Sequence, residues 1–120
     1  MWLEKTTENL QELGYDVQSF TAFAKVSRLV SKGEKPNLAI MSLSQLGKQD
    51  RMLLATLVRA GLAVVALVPS LPVEALRRLW LLGPNDIQRK PYSVNELKVL
   101  VEDNLKTSFK EETVPELWAG

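Results

Sequence analysis

The sequence predicts an α/β protein of three layers, with a parallel sheet held between helices. Three observations predict it. Helix-like and strand-like patterns alternate along the chain. Two short runs, Leu38 to Leu43 and Ala63 to Val68, are almost continuously apolar, as strands buried on both faces are. Single helices separate successive strands, which calls for right-handed crossovers and therefore parallel pairing. With 120 residues the chain is long enough to bury a core as one domain.

Each element has a local cause. Leu3, Leu10 and Leu13 mark one face of a first helix, which Gly14 ends. Tyr15 to Phe20 alternates like a strand. Thr21 can cap a second helix with Phe23, Val26, Leu29 and Val30 on its apolar side, and Gly33 and Pro36 close it. The strand from Leu38 follows, then a polar loop with Gly47. Leu53, Leu54, Leu57 and Val58 define a third helix that stops at Gly61, ahead of the strand from Ala63. Ser70 and Pro72 start a fourth helix that runs through Leu76, Leu79, Trp80 and Leu82 to Gly83. Asp86 to Arg89 reads as a short strand of mixed polarity. Ser93 with Glu96 makes a capping box for a last helix, whose core stripe is Leu97, Leu100, Val101 and Leu105. Lys106 to Gly120 reads as a polar tail with an apolar end at Leu117 and Trp118.

Composition excludes several function classes. Fifteen Lys and Arg balance 14 Asp and Glu, and a net charge of +1 gives no broad field to steer nucleic acid or anionic lipid. The chain has no cysteine, so disulfides, thiolate catalysis and Cys-ligated metals are excluded. It has no histidine either, which removes the usual general base and the usual metal ligand. We therefore expect no metal and no cofactor. Met1 to Lys5 lacks the pattern of a signal peptide, and Arg59, Pro69, Pro72 and Arg77 interrupt the most apolar region, so a cytoplasmic chain without a membrane span is expected.

Taken together, these features resemble the receiver domains of two-component response regulators, which have a flavodoxin-like fold. Leu13-Gly14-Tyr15 resembles the end of the first receiver helix. Pro36 to Leu43 resembles the third strand, Val64 to Val68 the fourth, and Gly83 to Asp86 the turn before the fifth. Gly47 falls where the family's loop after strand three carries a glycine. Lys90-Pro91-Tyr92, followed by Glu96-Leu97, resembles the corner that holds a lysine over a phosphorylated aspartate. The likeness implies a receiver-like domain over 1–106 and a C-terminal tail over 107–120.

The departures from that pattern imply a degenerate receiver, a pseudo-receiver. The phosphoacceptor position is Ser42, whose hydroxyl has no histidine to activate it. The hydroxyl position after strand four is Val68, and the switch aromatic of strand five is Ile87. Lys90, with Pro91 beside it, remains from the receiver site. We favour Ser42 as a small residue ending a buried strand over a nucleophile, and Lys90 as a solvated lysine beside a cis-proline corner over an anion contact. No glycine-rich phosphate loop follows any strand, so an enzyme is not expected.

Function is then expected to rest on contact. Leu79 to Leu82 places four large apolar residues on one helix, so at least one must point away from the core. The resemblance implies that targets and dimer partners bind on the surface of helix four, strand five and helix five. The expected contact residues are Arg77, Trp80, Leu81, Ile87, Arg89 and Tyr92. The expected partner is a second copy, as a homodimer, or a regulatory protein in signalling or transcription control. The less favoured alternative is a nucleic-acid-associated domain using Arg77, Arg78 and Arg89.

One physical problem stays open at this level. In receivers the first strand, which carries the acidic residues that hold magnesium, lies between strands two and three, and here it is missing from its usual place. Strand two could close directly on strand three. The tail around Thr113 to Trp118 could fold back or exchange with a neighbour, although Pro115 argues against an interior strand there. Or the missing strand could lie upstream in a longer natural protein.

Overall fold

A computed structural model describes residues 2–21, 23–43, 48–89, 93–105 and 115–120. The elements follow the predicted order: α1 Trp2–Glu12, β1 Asp16–Ser19, α2 Phe23–Ser31, β2 Leu38–Ser42, α3 Lys48–Arg59, β3 Val64–Val68, α4 Val73–Leu81, β4 Asp86–Arg89 and α5 Val94–Leu105. A tenth element, β5 Glu116–Ala119, follows α5. The five strands form one parallel sheet in the order β1-β5-β2-β3-β4.

Strand alternation divides the core into two layers. Phe20, Val26, Met41, Leu54, Leu57, Leu79 and Trp118 fill the side under α2, α3 and α4. Leu10, Ile40, Leu67, Leu97, Val101 and Leu117 fill the side under α1 and α5. The two strands read as doubly buried are so, and every residue of β3 is buried. The helix ends also match their local signals. The Ser93 hydroxyl accepts the Glu96 N–H at 3.2 Å, the serine half of the capping box. Gly83 ends α4 at φ +90°, and a Cβ there would stand 3.0 Å from a Val58 methyl, so both conformation and space call for glycine.

Of the three arrangements the sequence left open, the tail folds back, which corrects the expectation that Pro115 argues against an interior strand there. Residues 116–119 are an interior strand, and they fill the gap between β1 and β2 that the missing first strand would leave. The sheet is therefore complete with five strands. Leu117, Trp118 and Ala119 are each at most 1% exposed. Pro115 does not prevent this, because it stands one residue ahead of the paired segment. Its missing N–H is not needed there, and its carbonyl accepts the Asp16 N–H at 3.0 Å. Asn37 clasps the start of the strand: its side-chain Oδ1 accepts the Glu116 N–H at 2.8 Å, and its own N–H donates to the Glu116 carbonyl at 2.8 Å.

Candidate functional site

In open parallel sheets, ligands meet the carboxyl ends of the strands. Here those ends bring Ser42, Val68 and Gly120 together at the top of β2, β3 and β5. The Ser42 N–H donates to the Gly120 carbonyl at 2.7 Å, and the Gly120 N–H donates to the Ile40 carbonyl at 3.0 Å. Ser42 is half-buried and Val68 is buried. Beside them lies a cleft of about 210 Å³, with Thr21, Ser42, Gln49 and Asp50 as its polar part and Phe20, Met41 and Leu53 as its apolar part.

Among the described residues, the cleft offers the hydroxyls of Thr21 and Ser42, the Gln49 amide and the Asp50 carboxylate. A magnesium ion takes near-octahedral oxygen ligands, usually one or two carboxylates with waters and phosphate oxygens. Among the described residues no group of three His, Cys, Asp or Glu is placed to hold a metal. The residues of the strand in the first-strand position that stand beside Ile40 and Ser42 are Ala119 and Gly120, and neither is acidic. The space is also tight: a Cβ on Gly120 would stand 3.1 Å from the Met41 sulfur and 3.3 Å from the Phe20 carbonyl. The corner Lys90-Pro91-Tyr92 and the loop glycine Gly47 lie outside the described residues.

The second candidate surface is the outer side of α4. Of the four consecutive apolar residues, Leu79 is buried and Leu82 packs against the core, while Trp80 is 46% and Leu81 81% exposed. Arg77, Trp80 and Leu81 share one stripe by helical spacing, and Val73, 70% exposed, extends it by a turn. Sequence reasoning named three of these four and missed Val73, whose exposure follows from the same spacing. Arg78 is exposed one position around the helix, and Arg89 is exposed on the edge strand β4. Ile87 is half-buried and packs against the core on the α4 side of the sheet.

A polar network fixes β4 against α5. Asp86 accepts the Ile87 N–H at 2.9 Å through Oδ1, and its Oδ2 accepts Gln88 Nε2 at 2.5 Å. Asn104 lies 3.5 Å from that same Oδ2 and donates to the Leu100 carbonyl at 2.9 Å, which satisfies a side chain that is 9% exposed. On the far side of α5, burial raises the Tyr15 phenol above its ordinary value of 10.0, and the Glu102 carboxylate adds to the rise.

A solved structure shares this architecture. The signal receiver domain of a modulated diguanylate cyclase from Desulfovibrio desulfuricans G20, an example of alternate folding, superposes with a TM-score of 0.71 over 88% of this chain and 86% of that one, at 20% identity. The chain thus has the fold of a receiver domain. No family model and no curated protein matches the sequence. Among the described residues no helix is long and apolar enough to cross a membrane.

Proposed function

We propose that this receiver-like domain works in signalling by docking to a protein surface, without aspartyl phosphorylation. The observation that carries this reading is the serine at position 42, at the carboxyl end of β2. The resemblance puts the phosphoacceptor at this serine, and the residues of β5 placed beside it are Ala119 and Gly120. A receiver without an acceptor carboxylate has no aspartyl phosphorylation to drive a switch. What it retains is shape, and its apolar feature open to solvent on α4 is the stripe Val73, Arg77, Trp80 and Leu81. Tryptophan and arginine are residue types enriched at binding hot spots. The partner is a second copy of the chain or a regulatory protein.

Two measurements test the reading separately. Incubation with acetyl phosphate and magnesium should leave the protein's mass unchanged, and cation-dependent phosphorylation would overturn the first half. Trp80→Glu should abolish association through α4, whether with a second copy or with a captured partner. Unchanged association would overturn the second half. Binding to DNA that falls steeply with salt and is lost in Arg77→Ala with Arg78→Ala would favour the nucleic-acid reading instead.

A further inference from the structure

The near-zero net charge hides a separation of charge across the sheet. On one side, α2 and α3 carry Lys25, Arg28, Lys48, Arg51 and Arg59 against one acid, Asp50. On the other side, α1 and α5 carry Glu4, Glu8, Glu12, Glu96, Glu102 and Asp103 against Lys5 and Lys98. Five cations against one acid, and six acids against two cations, give +4 and −4. All of these residues except Asp50 are exposed. Because the two helix pairs cover opposite faces of one sheet, the domain has a basic side and an acidic side.

Each side also carries a shallow groove with an exposed apolar residue in it. On the basic side Met52, 52% exposed, lies with Ala55 between Lys48, Arg51 and Arg59 in a groove of about 320 Å³. On the acidic side Val99, 55% exposed, lies between Glu96 and Asp103 in a groove of about 400 Å³. An apolar centre inside a charged rim is the usual anatomy of a protein interface. The two grooves repeat that anatomy with opposite sign.

We propose that copies of this chain associate head to tail, with the α2–α3 side of one against the α1–α5 side of the next. The occupant that fits a basic rim around Met52 is an acidic rim around an apolar residue, and the same chain carries one on its far side. Such a contact is heterologous: the two surfaces differ, so the assembly does not close on itself after two copies. The grooves it uses are lined by residues of α3, β4 and α5 and by none of the α4 stripe, so it can be tested apart from the docking proposed for α4. Opposed charge of this kind steers encounter and fixes orientation, and salt screens it.

The test uses the full chain and two charge reversals. Lys48→Glu with Arg51→Glu changes the first turn of α3, and Glu102→Lys with Asp103→Lys changes the last turn of α5. Both pairs agree with the helix dipole, so folding is retained, and circular dichroism checks it. Sedimentation velocity at about 20 mM salt should show the native chain growing in mass with concentration, and the association constant should fall at least about tenfold by 300 mM. Each reversed variant alone should stay monomeric, and a mixture of the two should associate again. A native chain that stays monomeric up to about 1 mM at low salt overturns the proposal. So does a mixture that fails to associate. The same series on a Trp80→Glu background separates the two surfaces: loss of salt-sensitive growth there assigns the association to α4 and overturns the head-to-tail contact.

Discussion

Trp118 sets the terms at the scale of single residues. It is 1% exposed, and its ring meets Phe20 edge to face at 5.4 Å between centroids. Among the described residues its indole N–H has no hydrogen-bond partner. An unmet buried donor costs on the order of 1–3 kcal/mol, and the ring's packing must exceed that. Trp118→Ala should therefore cost about 3–5 kcal/mol. Trp118→Phe keeps the ring and removes the orphan donor, so it should cost less than half as much. Urea unfolding of both variants checks the order, and a Phe variant as unstable as the Ala variant would show that the N–H is satisfied in solution. Tyr15 makes a second residue-scale prediction. Its phenol titrates higher folded than unfolded, so its contribution is complete below pH 10 and is lost as pH rises through the folded value. Relative to Tyr15→Phe, the native chain should keep a constant stability difference at neutral pH and lose stability above pH 10. Melting curves of both proteins across the alkaline range measure this.

At the scale of elements, most of the fold was legible because each helix and strand carries its own signals. The doubly apolar runs gave β2 and β3, and glycine stops and the Ser93 cap bounded the helices. β5 was not legible as an interior strand for two physical reasons. It is four residues long, too short for a period to show, and its lateral hydrogen bonds are all made with strands far away in sequence. The proline ahead of it pointed the wrong way, since only the register shows that position 115 needs no donor. At the candidate site, Ser42 and Val68 were legible from strand ends, while the nearness of Gly120 to Ser42 was not, because it depends on where β5 inserts. The Asn37 clasp was likewise invisible until Glu116 came beside it. Asn37→Ala should unpair the Glu116 N–H and cost about 1–2 kcal/mol. Hydrogen exchange should show faster exchange in β5 and β1 than in β3, and uniform protection across the sheet would argue against the clasp as what holds the strand's start.

At the scale of the whole molecule, the position of β5 amounts to a change in chain order on an unchanged layout. A parallel sheet has all its strand ends on one edge, and each helix returns the chain to the opposite edge. α1 leads into the start of β1, so its own start lies at the edge where the strands end, and β5 ends at that same edge. The sheet needs a strand between β1 and β2, and the physics of pairing does not distinguish whether that strand comes first or last along the chain. A chain that begins with residues 115–120, continues through a Gly/Ser linker of about six residues into residue 1, and stops at 105 should therefore build the same sheet. Its linker has only to join two points on one edge, and the two cores under α1–α5 and α2–α4 keep every contact that Leu117, Trp118 and Ala119 make. Such a permutant should melt cooperatively within several degrees of the native chain and bury Trp118 to the same extent, as fluorescence quenching reads it. If it instead collapsed without a cooperative transition while the native order folded, the connection from α5 into β5 would be needed to deliver the strand, and the layout would depend on chain order after all.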